Sequence, residues 1–346
     1  ERSIRGMGSY SGLVAKLLPD SRPIYREETS SALGTLKGYL YGKKYFREKF
    51  GVDVKVAWLP DSFGFAWTIP QILKKCGIDY FLTSKLNWQL NRMKKPIPFP
   101  YHLFWWKSPD GSKVLAHLTI GGYAQKVDAE SILKQLEKLK KMHNIPYLLV
   151  LFGYGDHGGG PNRDMIERAL EISGTKDFPE IVFSTALEYF KNIEDYSEKI
   201  PIYEDELYLK THRGTFTTEA RVKKFLREAE VGLINSEKLS SIAFLLGGEY
   251  PANSLAEAWR KLLYITTHDI MDGTSIELVY KDLFNEEVPW IREAVREAML
   301  DSTREIISKI DLDEYKNPVV VFNTLSWTRS GIVSIELPRD KGHVTV

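Results

Sequence analysis

The 346-residue chain is poor in the features that mark several large protein classes. Its single cysteine, Cys76, excludes an intrachain disulfide, and no Asn-x-Ser/Thr acceptor for N-glycosylation occurs. These two absences predict a reducing, cytoplasmic setting. No stretch approaches the ~18 consecutive apolar residues that a membrane-spanning helix needs, so no membrane partner is expected. Charge of one sign is missing too. Forty-seven Lys and Arg face 46 Asp and Glu, a net charge of +1, and no dense basic patch of the kind that tracks phosphates is present. Nucleic acid is therefore not an expected partner. The start at Glu1-Arg2-Ser3 has neither an initiator Met nor a signal-type apolar segment, which predicts a piece of a longer protein.

What is present fits a folded protein. Apolar residues make up 43% and charged residues 27%, which excludes disordered and collagenous classes. The length predicts two or more compact units, or one large barrel plus an extension. Aromatic residues reach 12%, with eight Trp. They serve equally as sugar-stacking platforms or as core.

From Val54 to about Glu194, short apolar runs alternate with periodic stretches, the pattern of βα units around a parallel sheet. The predicted strands are Val54 to Trp58, Tyr80 to Thr83, Val114 to Leu118, Tyr147 to Phe152 and Ile181 to Ser184. Between them, helices are predicted over Ile132 to His143, where Ile132, Leu133, Leu136 and Leu139 recur near the helical period, and over Asn162 to Ile172. After Tyr203 three long helices follow, about Thr218 to Leu246, Leu255 to His268 and Val288 to Ile310, and they suit a helical bundle. From Asn317, two strand patterns, Val319 to Phe322 and Ile332 to Ile335, open a β region. The expected units are residues 1–203, of which 1–35 stay unplaced, 204–314 and 315–346.

Four segments could carry chemistry. In Ala57-Trp58-Leu59-Pro60-Asp61-Ser62-Phe63-Gly64-Phe65 a strand ends at Pro60 and Asp61 stands just beyond it, where parallel α/β folds keep catalytic groups. Spacing alone favours the alternative that Asp61 caps the next helix through its side-chain oxygen, with Ser62 helping. In Phe152-Gly153-Tyr154-Gly155-Asp156-His157-Gly158-Gly159-Gly160 the glycines permit close backbone approach to a ligand, with Asp156 as a second carboxylate on the same rim. The alternatives are a flexible turn before the helix at Asn162 or a phosphate loop, although no Gly-Lys-Ser/Thr follows. In Thr267-His268-Asp269-Ile270-Met271-Asp272-Gly273-Thr274, His268 is either a metal ligand aided by Asp269 or Asp272, or a helix-end residue complementing the dipole. In Glu206 to Thr215, His212 and Arg213 could bind a sugar hydroxyl or order the site, while Thr217, Thr218 and Glu219 read as helix capping.

Taken in order, these segments resemble the α-mannosidases of glycoside hydrolase family 38. The likeness runs through Trp58-Leu59-Pro60-Asp61-Ser62-Phe63-Gly64, Pro70-Gln71-Ile72-Leu73, Gly77 to Trp88, Phe104-Trp105-Trp106, Asp110-Gly111-Ser112 and Gly155-Asp156. It continues through His212-Arg213-Gly214-Thr215, His268-Asp269 with Gly273-Thr274, and Phe322 to Trp327, covering roughly residues 36 to 330.

The resemblance implies an incomplete seven-stranded β/α barrel, then a three-helix bundle and the start of a β-sandwich domain. It also implies a retaining α-mannosidase acting on terminal α-mannosides through a covalent glycosyl-enzyme. Asp61 would be nucleophile and metal ligand, His268 a metal ligand, and Asp156 the candidate acid/base. Lys85, Trp88 and Arg213 would contact the sugar. The implied cofactor is a divalent cation, zinc first and cobalt second. The sequence departs from the family's all-glycine version of this loop at His157, and lacks any His-x-Asp, the family's first pair of metal ligands. Asp61 and His268 supply two of the four ligands that zinc usually takes. Two other readings follow: a metal-dependent carbohydrate deacetylase, and a non-catalytic carbohydrate-binding piece that is aggregation-prone along unpaired strand edges. Homo-oligomerisation is left open.

Overall fold

The structure is a computed structural model that describes residues 32–155, 159–173, 175–176, 178–315 and 318–332. It opens with helix α1 (Ala32–Phe50), followed by strand β1 (Val56–Leu59), the short β2 (Gly64–Phe65) and helix α2 (Ile69–Lys75). Then come β3 (Tyr80–Thr83), β4 (Leu103–Lys107), β5 (Lys113–Leu118), α3 (Ala129–His143), α4 (Arg163–Ser173) and α5 (Ala186–Ile193). The short strands β6 (Ile202–Tyr203) and β7 (Leu207–Tyr208) lead to the long helices α6 (Ala220–Leu245) and α7 (Ala252–Ile265). The short α8 (His268–Met271) and α9 (Glu277–Asp282) precede α10 (Val288–Ile307).

Five strands form one mixed sheet in the order β1-β3-β5-β4-β6. The β1/β3, β3/β5 and β4/β6 pairs are parallel, while β4 and β5 form an antiparallel hairpin. The hairpin turns at Asp110-Gly111-Ser112, where Gly111 takes φ +87°, a left-handed conformation that a Cβ would strain. β3 is buried along its whole length, as a continuous apolar run predicts for a strand covered on both faces. On one face α2 presses Ile69, Ile72 and Leu73 against Ala57, Phe81 and Ala116. On the other, α5 seats Tyr189, Phe190 and Ile193 against Val56, Leu82 and Leu115. The N-terminus of α5 is fixed by a reciprocal capping box between Thr185 and Glu188.

A separate apolar core lies between α6, α7 and α10, with Phe225, Leu233, Trp259, Leu262 and Ile291 among its members. Helix α1 joins the two parts. Lys37 on α1 reaches Glu237 on α6 at 2.6 Å, and the same carboxylate oxygen accepts the Trp259 indole N–H at 3.0 Å. Among the described residues no helix is long and apolar enough to cross a membrane.

Several local expectations are corrected. Tyr147 to Phe152 forms no strand of the sheet, its one ladder contact being an isolated parallel bridge between Phe152 and Gln125. Ile181 to Ser184 and Val319 to Phe322 form no strand. A strand exists only where a neighbour completes its ladder, and apolarity alone does not supply one. Ile332 to Ile335 and residues 1–31 fall wholly or mostly outside the described residues. The buried stripe of α3 is Ile132, Gln135, Leu139 and His143, whereas Leu133 is exposed. Two polar residues thus take core positions that the apolar pattern assigned elsewhere. The helix expected over Leu255 to His268 stops at Ile265, and a new turn begins at His268.

Candidate active site

Asp61 stands two residues beyond the end of β1, and the residue at the N-cap of the following helix is Thr68. The capping alternative for Asp61 is therefore wrong. Its carboxylate is instead held from several sides by groups that follow the carboxyl ends of neighbouring strands. Lys85, just past β3, donates from Nζ to Oδ1 at 2.7 Å. Tyr123, past β5, donates its hydroxyl to Oδ2 at 2.9 Å. His268 Nε2 approaches Oδ2 at 3.7 Å, an electrostatic approach beyond hydrogen-bonding distance.

Burial works against ionisation of Asp61, but His268, Lys85 and Tyr123 together outweigh it and hold the carboxyl well below the usual range. The group is thus a carboxylate at any neutral pH, which a nucleophile or a metal ligand requires.

Lys85 is itself boxed by aromatic faces. Its Nζ lies 3.8 Å from the Trp88 ring centroid and 5.3 Å from that of Tyr123, distances typical of cation–π contact. Trp88 stacks parallel to Phe63, 6.3 Å apart, and His212 packs on both rings at 5.1 and 4.7 Å. Burial, followed by the nearby Lys85 charge, lowers the His212 pKa and favours its neutral form. Trp88 remains 41% exposed, so part of its indole stays accessible beside Lys85. Arg213 turns its guanidinium to the Tyr208 hydroxyl at 2.7 Å and over that ring. Tyr208 pairs with Gly64 across the β2/β7 ladder, so Arg213 borders the Asp61 segment through Tyr208.

His268 is the first residue of α8, not the last of a long helix, which removes the reading of a cation complementing a helix C-terminus. A turn at Gly273 secures this segment: with φ +85° there, a Cβ would sit 2.4 Å from Thr218 Cγ2. Asp272 is 1% exposed, and its Oδ1 accepts the Thr274 backbone N–H and hydroxyl at 2.9 and 2.8 Å. Burial raises its pKa. The Thr217 and Thr218 hydroxyls bond back to Gly214 O, and Glu219 at the N-cap of α6 takes φ +49° and makes no side-chain cap. These threonines fold the approach to α6 and do not cap it.

Asp156 and His157 lie outside the described residues. The glycines on either side show why that segment is rich in them. Tyr154 N–H bonds to Gly160 O at 2.9 Å. A Cβ on Gly155 would meet Ala124 Cβ at 2.5 Å, and one on Gly159 would meet Tyr154 O at 2.6 Å. Close backbone approach demands glycine here.

The structure thus brings Asp61, Lys85, Trp88 and His268 together and sets Arg213 beside them. Sequence reading passed over Tyr123, although its place behind Gly121-Gly122 at the end of a strand was a usable signal. Among the described residues no three His, Cys, Asp or Glu side chains converge as a metal site. Asp61 and His268 do converge, and they offer one oxygen and one nitrogen donor.

Comparison with known proteins matches residues 27–206 to the glycosyl hydrolases family 38 N-terminal domain and residues 210–306 to the alpha mannosidase middle domain. The chain is 37% identical over 250 residues to Alpha-mannosidase 2C1 of Homo sapiens, covering 71% of this chain and 24% of that protein. It is 31% identical over 313 residues to Alpha-mannosidase of Saccharomyces cerevisiae, covering 86% and 28% respectively. The chain therefore spans about a quarter of the length of such relatives. The crystal structure of an alpha-mannosidase from Enterococcus faecalis V583 superposes with TM-score 0.70 at 20% identity, over 83% of this chain and 34% of that one. At that identity the likeness establishes the fold alone.

Proposed function

The chain belongs to glycosyl hydrolase family 38, and from that premise we propose that it forms much of the catalytic part of a retaining α-mannosidase. The observation that carries this reading is the Asp61 carboxylate, ionised and clamped by Lys85 and Tyr123 beside the partly exposed indole of Trp88. Such a carboxylate attacks the anomeric carbon of a terminal α-mannoside while the glycosidic C–O bond breaks. A second carboxyl group about 5–5.5 Å away protonates the leaving oxygen and then draws a proton from the water that hydrolyses the glycosyl ester. Asp156 is our assignment for that group.

Lys85 and Tyr123 fix the carboxylate oxygens and stabilise their charge before attack, so little reorganisation is left for the reaction. Trp88 offers a ring face to the sugar, and Arg213 contacts it at the border of the site. Asp61 and His268 would hold a divalent cation, zinc first and cobalt second, with a His-x-Asp pair completing four ligands. Such an ion supplies Lewis acidity and a template for vicinal hydroxyls. The finer architecture belongs to the same proposal: an incomplete seven-stranded barrel over 1–203, a three-helix bundle over 204–314, and the start of a β-sandwich over 315–346. So does a cytoplasmic location.

The test is hydrolysis of 4-nitrophenyl α-mannoside with added zinc or cobalt, by the full-length gene product beside this chain. Mannose release by the longer product supports the reading; inactivity of both sinks it. Release of acetate from acetylated sugars, without mannose, would instead establish the deacetylase alternative.

A further inference from the structure

We propose that Gln125 and Gln135 form a buried amide brace that sets Tyr123, and through it Asp61, in register with residues 151–155. They are positioning residues, and the inference rests on the mannosidase reading for its kinetic consequences.

Gln125 and Gln135 are 9% and 7% exposed, in a shell where amide side chains are seldom buried without a task. Gln135, on the inner stripe of α3, donates from Nε2 to Gln125 Oε1 at 2.8 Å and to Ser131 Oγ at 3.1 Å. Gln125 in turn donates from Nε2 to Gly122 O at 3.3 Å, closing the turn that carries Tyr123. That turn is built around the pair: a Cβ on Gly121 would lie 2.0 Å from Gln125 Oε1 and 2.8 Å from Gln135 Nε2. No other residue type fits there without displacing the amides.

The backbone of Gln125 reaches the other way. Its N–H donates to Leu151 O at 3.1 Å, and its carbonyl accepts the Gly153 N–H at 3.0 Å. Gly155 then abuts Ala124, and its Cβ position is 3.5 Å from Tyr123 Cε2. One residue therefore ties three things: helix α3 through its amide, the Tyr123 turn through the same amide, and residues 151–153 through its main chain. Tyr123 passes the setting on to Asp61 Oδ2 at 2.9 Å. An aliphatic pair of equal volume would fill the same space, but would leave the turn without a directional restraint. Displacement of a reacting group by about 1 Å costs on the order of 100-fold in rate.

The experiment uses the full-length gene product with Gln125→Met, Gln135→Met, Tyr123→Phe, and the Gln125→Met/Gln135→Met and Tyr123→Phe/Gln125→Met doubles. Gln125→Met is expected to lower kcat roughly 10- to 100-fold with KM within about 3-fold, because the lost restraint acts in the transition state. The amide double should lie within about 3-fold of Gln125→Met, and Gln125→Met should cost less than about 3-fold once Tyr123 is Phe, as residues acting through one unit are non-additive. An unchanged kcat, or a full loss persisting in the Tyr123→Phe background, overturns the proposal. Gln135→Met, a change on helix α3 outside the turn, carries the same expectation if Gln125→Met does not fold. Hydrogen exchange gives a readout free of activity: peptides spanning 119–126 and 149–155 should exchange faster in the Gln125 variant, with α6 to α10 unchanged. Unaltered exchange in both peptides overturns the brace. An inactive wild type with the exchange result intact would sink the mannosidase reading and still support the brace.

Discussion

Around Asp61, charged and polar side chains from the segments that follow β1, β3 and β5 meet at a partly exposed rim, whereas Leu233, Trp259 and Ile291 lie wholly buried between α6, α7 and α10. In the helical core, removal of apolar surface from water supplies stability without direction. At the rim, a half-buried carboxylate is kept charged against the cost of burial by a lysine, a tyrosine and a histidine. His268 belongs to both regions, since the helical part of the chain delivers it to the sheet's rim. Substitutions in the two regions should therefore affect different quantities.

The largest separation should come from Asp61→Asn, which leaves shape intact and removes the charge to which the proposed mechanism assigns the attack. It is expected to reduce kcat on the order of 10⁴-fold or more, while the melting temperature shifts by only a few degrees; comparable rate losses from core substitutions would break the contrast. Trp259→Ala should do the opposite, lowering stability by about 3–5 kcal/mol with kcat of the remaining folded protein unchanged, read by denaturant unfolding beside initial rates. Lys85→Met sharpens the comparison within the rim. A drop in kcat of roughly 10- to 100-fold at little-changed KM assigns Lys85 to the carboxylate, and a raised KM at unchanged kcat would assign it to the sugar.

A smaller effect concerns histidines buried in the sheet region. Burial holds His102 at about 4 and His117 at about 3, against an ordinary 6.5; His143 adds repulsion to both, Lys138 to His102 and His102 to His117. Because the folded pKa values are depressed, the stability linked to neutral imidazole is present above pH 6.5 and is lost as pH falls from 6.5 toward 4 and 3. The melting temperature should fall across that window, less steeply in His117→Phe; a curve that His117→Phe leaves unchanged would refute the assignment. Least of all, Arg292→Ala breaks an exposed pair with Glu228 at 2.7 Å and should cost under about 1 kcal/mol, measurable only by careful chemical denaturation.

Much of the site was legible because local chemistry announced it. Pro60 ending an apolar run put Asp61 beyond a strand, and the structure has it there, after Leu59. Lys85 was read as a sugar contact, and its 2.7 Å pair with Asp61 was not legible, because it joins two loops 24 positions apart through the β1/β3 pairing. Tyr123 was missed for the same reason. The stripe of α3 was misphased because Gln135 and His143 are polar by type and core by position. Their burial depends on partners, Gln125 for one and the His102 and Leu103 N–H groups for the other, that no periodicity within the helix contains.

By itself, the sequence determined the strands around Trp58, Tyr80 to Thr83 and Val114 to Leu118, the long helices after residue 203, and the family to which the chain belongs. Hydrophobic period, turn glycines and motif order are local quantities, carried along the chain. Only the tertiary structure decided that Asp61 is clamped by Lys85 and Tyr123 and faces His268 across the two halves, and which apolar runs found a neighbour to become strands. Those are contacts between distant segments, set by which surfaces pack together, and a sequence lists the segments without their distances.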